Sequence, residues 1–445
     1  MKMKKATALM MTAAIGAAMF TVPVFAEEVE TEPANTVSGD SAAEDAFVIW
    51  GWNEDIKKIL DGPFAEAYPD LYKRIVFVNT GGSDTYQTKV DAILEDPSGE
   101  LYPDLMGLEV DYVLKYVNGD FLSSAGDLGI TADDYANQYG YSLDLGTDYD
   151  GNVKALFWQA TPGCIQIRAD LAEKYLGTTD QAKLSEMFSS WDNILDTARK
   201  VNEASGGTAK LFSGYDEMFR IFSNSRANGW YDENDTIQVD ENMTKYMEMA
   251  KICYEEELTY NTQQWKDDWY ANMAGDGETS NAAVAYCGCP WFTYWCLGDA
   301  WKANTILVQA PEQFYWGGTG LAATAGCADT DMAAAILKFF TCETDPMVSI
   351  NALNSDFVNN KEAVQKIADA GTTCEYIYGE QDMISFYLPM ADGIDAKNAT
   401  AEDQDINSLW TTQVDAYARG EKDLDTAVAD FKSSVHDTFS YLNVE

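Results

Sequence analysis

The sequence predicts an α/β protein of two lobes, each a mainly parallel sheet flanked by helices. Three observations predict it. Short apolar runs alternate with amphipathic helical patterns from Phe47 onward, the order that builds parallel sheets covered on both faces. The alternation resumes after Lys154, and 445 residues exceed what one simple core fills.

Residues 1–26 read as an export leader. Lys2, Lys4 and Lys5 precede an apolar stretch from Ala6 to Phe25, and Val24-Phe25-Ala26 supplies an exit for cleavage after Ala26. The stretch is also long enough to stay uncleaved as an anchor. Residues 27–45 hold five Glu, two Asp and almost no large apolar side chain, and read as a solvated tether. No cysteine precedes Cys164, so a cleaved N-terminus has no lipid site. A periplasmic or cell-surface location is expected.

Phe47 to Trp50 reads as a buried strand, followed by a helix from about Glu54 to Ala67 with Ile56, Ile59, Leu60 and Phe64 at helical spacing. Ile75 to Val78 is a second strand ended by Gly81-Gly82, and Ser83 or Asp84 is expected to cap the helix carrying Tyr86, Val90, Ile93 and Leu94. Pro103 to Leu108 is a third strand, and Asp111 opens the next helix. Further on, strands are predicted at Cys164–Ile167, Ala282–Cys287, Thr305–Val308 and Gly320–Ala323. Helices are predicted near 169–175, 191–203, 240–257, 265–273, 329–341 and 424–442.

Composition excludes several functions. The chain carries 29 basic and 73 acidic side chains, formally −44, and loses three more positive charges with its leader. A field of that sign repels nucleic acid and anionic lipid. The single histidine, His436, sits in an amphipathic C-terminal segment, which leaves no histidine-based triad and few zinc ligands. No cofactor is predicted. The eight cysteines allow 105 pairings, and buried thiols and disulfides both stay open.

In open α/β sheets, ligands bind beyond the carboxyl ends of the strands. Trp52, Asn53 and Glu54 follow the first strand, and Glu109 and Asp111 follow the third. Trp158 and Gln159, Tyr215 and Asp216, Pro290, Trp291 and Phe292, and Tyr315 and Trp316 occupy comparable positions, with basic residues hardly present. A sugar ring lays its C–H face on indole, and its hydroxyls match carboxylates and carboxamides. Hydrogen bonds to charged groups contribute about 1.5–3 kcal/mol each. Asp111 could equally be a helix cap, and tryptophans also fill cores.

These residues resemble the extracellular solute-binding proteins of ABC transporters, in the carbohydrate-binding branch (family 1) that includes maltose-binding protein. Trp50-Gly51-Trp52-Asn53-Glu54, Tyr102-Pro103-Asp104-Leu105, Cys289-Pro290-Trp291, Trp316-Gly317-Gly318, Phe339-Phe340-Thr341-Cys342-Glu343 and Ala418-Arg419-Gly420 carry the resemblance. It implies a type II periplasmic-binding-protein fold with the ligand cleft at the hinge. By resemblance Asp111 is a sugar-binding aspartate, Trp291 a stacking tryptophan, Glu54 an acidic contact, and Trp410 a second stacking aromatic displaced by about one helical turn. Leu108 stands where maltose-binding protein has a tryptophan, so a maltodextrin is not implied.

The lobes are expected to comprise residues 46–158 with 314–355, and 159–313 with 356–445. Crossings are placed near Gln159–Pro162, Ala310–Tyr315 and Ser355–Asn360. The expected function is the non-enzymatic, monomeric binding component of a sugar importer, with a neutral saccharide and membrane permease subunits as partners. An exported glycoside hydrolase would use the same carboxylates and aromatics, and a polyamine would also suit acidic and aromatic groups.

Overall fold

The computed structural model describes residues 35–444. The leader and the first eight residues of the acidic segment lie outside them. Among the described residues, eleven strands are numbered in chain order. The largest sheet runs β1-β3-β2-β4-β11-β5, formed by Thr36–Ser38, Ile75–Asn79, Phe47–Gly51, Leu105–Glu109, Thr319–Ala323 and Leu156–Phe157.

β2 lies parallel to β3 and β4, with Phe47 opposite Ile75 and Ile49 opposite Leu105. This parallel centre is buried on both faces, which is why its strands read as continuous apolar runs. β11 returns antiparallel between β4 and β5, pairing Gly320 with Leu108 and with Phe157.

β1 corrects the tether reading. Thr36–Ser38 pairs antiparallel with β3 although its side chains are mostly exposed, because an edge strand is held by its backbone. Gly39 lets the chain leave β3 with a φ of 98°, since a Cβ there would lie 2.3 Å from the Ile75 carbonyl oxygen.

In the second lobe, β6 (Cys164–Arg168) runs antiparallel between β10 (Thr305–Val308) and β9 (Ala285–Gly288). A separate parallel pair joins β7 (Ala209–Lys210) to β8 (Ala282–Ala283). The three-stranded sheet is thus antiparallel throughout, because neighbouring strands come from distant crossings rather than from consecutive βαβ units.

The expected helix at 54–67 breaks at Gly62-Pro63. Gly62 adopts φ −97° and ψ −106°, and Pro63 has no N–H to continue the ladder. The helix Ser83–Leu94 begins after Gly82 without a side-chain cap, in place of the cap expected from Ser83 or Asp84. Asp111 does not cap its helix either; Val113–Val117 starts after Tyr112.

Buried side chains form two large cores. Ile49, Val76, Leu108 and Leu321 belong to the first, and Ile167, Leu195, Trp230 and Phe431 to the second. The segment from Phe357 to Ala396, expected in the second lobe, packs Val364, Ile367, Tyr387 and Met390 into the first core. The chain rejoins the second core at Ile406, so the third crossing lies near 396–406 and not at 355–360. A third cluster joins Trp269, Tyr286, Phe292, Trp301 and Trp316 to Met273, Ala283, Cys289 and Leu297.

Candidate functional site

The aromatic cluster lies against the carboxyl end of β4. Trp316 precedes Gly317 and Gly318, whose φ values of 64° and 116° turn the chain back into β11. A Cβ on Gly317 would lie 2.9 Å from the Glu109 carboxylate and 3.4 Å from the Trp291 indole nitrogen, so a side chain there would intrude between them. Trp291 donates its indole N–H to the Trp316 carbonyl at 3.0 Å. Trp265, 45% exposed, lies nearly parallel to Trp291, with ring centres 6.3 Å apart.

Charged groups border these rings. The Arg220 guanidinium sits 4.9 Å from the Trp316 ring and makes a two-pronged ion pair with Asp111. Glu109 accepts the Asp111 backbone N–H at 2.8 Å. Burial pushes the Glu109 carboxyl well up, the Asp111 charge adds to this, and Arg220 opposes it. Glu109 is therefore held towards its neutral form beside the ion pair.

The remaining expected residues divide by environment. Trp52 is half-buried, edge-on to Tyr86 at 5.0 Å, and Asn53 bonds Asp55. Glu54 is exposed and accepts from Asn79 at 2.6 Å. Tyr315 is buried and stacks on Tyr141 at 5.2 Å. Gln159 is committed to the hinge: its amide N–H donates to Asp356 at 2.9 Å and its oxygen accepts from Thr319 at 2.9 Å. It ties the first crossing to Asp356 and to β11.

Four of the expected side chains are engaged within the fold. Trp158 is wholly buried against Phe340, and Trp410 is wholly buried between Trp230 and Phe431. Tyr215 spends its hydroxyl on Asp415 at 2.6 Å, and Asp216 accepts the Gln264 N–H at 2.6 Å. Both brace the interior of the second lobe.

Sequence reasoning missed Trp265, Arg220 and Arg226. Trp265 precedes the helix Asp267–Ala274 with a φ of 68°, where reading it as helical hid its reach. The two arginines stand in or just after the short helix Phe219–Asn224, away from the strand ends. His436 ends the helix Leu424–Thr438 with a ring nitrogen 2.6 Å from the Leu442 carbonyl, a surface position as expected.

Comparison of the whole fold with solved structures is decisive for its class. An extracellular solute-binding protein family 1 structure matches with a TM-score of 0.75 at 17% identity, covering 89% of this chain and 100% of the other. The chain has the solute-binding-protein fold. A binding protein associated with an ABC transporter of B. animalis subsp. lactis Bl-04, in complex with β-1,6-galactobiose, matches with a TM-score of 0.69. Its identity is 17%, over 90% of this chain and 99% of that one. The galacto-N-biose-/lacto-N-biose I-binding protein of Bifidobacterium longum, in complex with lacto-N-biose, also gives 0.69, at 14% identity over 91% and 100%. No protein-family model and no curated protein matches the sequence. The type II arrangement predicted from the sequence is thus the observed one.

Proposed function

We propose that this chain is the substrate-binding component of an ABC-type sugar importer, which closes on a neutral saccharide and presents it to membrane permease subunits. The observation that carries this reading is the meeting of Trp265, Trp291 and Trp316 with Glu109, Asp111 and Arg220 where the two cores face one another. Indole faces accept the apolar side of a sugar ring, and the charged rim accepts or donates to its hydroxyls. Trp52, Asn53, Glu54 and Tyr315 complete the cleft in this reading. The saccharides named for the structurally similar proteins support it.

The protein works as an exported monomer, without chemistry on its ligand. Closure is driven by the ligand's contacts to both lobes, which favour the closed arrangement only because the open one lacks half of them. Among the described residues no helix is long and apolar enough to cross a membrane. The mature chain begins at Glu27, which the intact mass of the secreted protein measures.

A thermal-shift screen against neutral mono- and oligosaccharides and polyamines tests the reading. A ligand at a hundred times its Kd stabilises by about 2.7 kcal/mol. A shift with saccharides alone is expected. A shift only with polyamines, or release of new reducing ends from a glycan, overturns it.

A further inference from the structure

Trp265 holds a backbone conformation that a side chain of its size rarely adopts. With a φ of 68° it is the bulkiest positive-φ residue among those described, and such a conformation persists only where its surroundings fix it. Its ring is 45% exposed, so burial of the indole does not do the fixing. The ring centre lies 5.4 Å from Trp269 and 5.7 Å from Trp316, on the open side of the aromatic cluster.

The chain on either side of Trp265 is tied to two adjacent acids. Gln264, one residue before it, donates its backbone N–H to Asp216 at 2.6 Å. Trp269, four residues after it, donates its indole N–H to Glu217 at 2.5 Å. The intervening helix, Asp267–Ala274, has no side-chain cap at its start. Its far end is held separately, where Arg168 donates to the Gly275 carbonyl and Trp301 to the Met273 carbonyl. The near end, where Trp265 stands, is the end that the two acids secure.

Glu217 also reaches the support of Trp291. Its second oxygen accepts the Cys287 N–H at 3.1 Å, and Cys287 lies in β9, which runs directly into Cys289-Pro290-Trp291. One buried carboxylate thus joins the supports of two rings whose planes differ by only 15°. The turn Tyr215–Met218, which carries both acids, leads straight into the helix that sets Arg220 against the Trp316 ring.

The residue type matters. A buried carboxylate is a costly way to fill a core, and what it adds here is two fixed acceptors for two N–H groups. Glu217 is 1% exposed with both oxygens engaged, so it acts on a ligand only through the rings above it.

We propose that Glu217 and Asp216 are positioning residues of the saccharide platform, which touch no ligand and set the Trp265 and Trp291 rings from beneath. The proposal rests on the saccharide-binding reading above. Calorimetry with neutral mono- and oligosaccharides tests it on the wild type, Glu217→Gln, Trp265→Ala and the double variant. Glutamine keeps the size of the side chain but offers one acceptor oxygen to two N–H groups. Each single variant is expected to weaken binding about tenfold, and the double variant well short of the roughly hundredfold product, because one change acts through the other. Asp216→Ala withdraws the acceptor of the Gln264 N–H alone and repeats the cycle should Glu217→Gln fail to fold. Its expected loss is about threefold beside Trp265 and close to none beside alanine at that position. A purely structural role would lower the melting temperature and leave Kd alone. Unaltered affinity in a folded variant, or losses that multiply in full, overturns the positioning role and leaves the saccharide reading intact. Failure of every saccharide to bind the wild type overturns that reading, and the platform with it.

Discussion

Asp111 and Arg220 reach across the cleft to each other, with Nη1 and Nη2 lying 2.8 and 2.5 Å from the two carboxylate oxygens. Asp111 follows the central parallel strands of the first sheet, and Arg220 belongs to a helix packed with the second core. The pair therefore acts between lobes. Its side chains are 24% and 32% exposed, so solvent weakens it without removing it.

Asp111→Asn leaves the shape of the cleft and removes the charge that engages Arg220. Saccharide affinity is expected to fall by roughly 10- to 100-fold, the equivalent of about 1.5–3 kcal/mol for hydrogen bonds to charged groups. Small-angle scattering of the unliganded variant is expected to give a larger radius of gyration than wild type. An unaltered Kd by calorimetry would sink the assignment of Asp111 to the site.

Two tryptophans expected alike from the sequence should behave oppositely. Trp291→Ala removes a half-buried ring at the cleft and is expected to weaken saccharide binding by about 1.5–3 kcal/mol, the range for burying one large apolar side chain. Trp410→Ala empties a core position between Trp230 and Phe431, and should lower stability by about 3–5 kcal/mol with affinity preserved. Urea melts and calorimetry on both variants separate the two roles.

The contrast shows where the sequence was legible. Strand positions 47–50 and 75–78 were readable because buried parallel strands leave an unbroken apolar run, and 305–308 because that antiparallel edge strand is buried along its whole length. Asp111 and Trp291 were readable because each follows a strand end, where ligands gather in this class of sheet. Trp158 also follows a strand, yet it faces Phe340, since which side of β5 is covered depends on a helix 180 residues further on. Arg220 and Arg226 lay hidden for a similar reason: their partners Asp111 and Asp403 are distant in sequence, and only the folded chain joins them. The strap near 396–406 carries no crossing signal of its own, because polar loop residues look alike whether they cover a surface or bridge two lobes.

All eight cysteines are free thiols, and six are buried. Burial pushes the Cys164 and Cys253 thiols up to about 12, which suppresses the reactive thiolate at neutral pH. Labelling of the native protein with a thiol reagent is expected to begin at half-buried Cys296 and Cys374, and unfolding in denaturant to release all eight without a reductant. Recovery of fewer than eight under those conditions would show that pairs had formed.

The last consequence concerns pH. Asp216 and Glu217 are adjacent buried acids. Burial, the larger cause for each, pushes them up to about 7 and about 8, with the neighbouring Asp216 charge adding to the effect on Glu217. Glu217 accepts from the Trp269 indole at 2.5 Å and from the Cys287 N–H at 3.1 Å, which offsets part of the rise. An acid that titrates higher in the fold than in the unfolded chain holds a proton that unfolding releases, so each rise in pH through that window favours unfolding. Stability is therefore expected to fall from about pH 4, the ordinary carboxylate range, to about pH 8, where both groups are ionised. Self-repulsion of so acidic a chain adds a slope of the same sign, and a single variant separates the two. Asp216→Asn keeps an oxygen for the Gln264 N–H and cannot ionise, so its melting temperature should decline less between pH 5 and pH 8 than that of wild type. Parallel declines in the two proteins would assign the whole slope to surface charge.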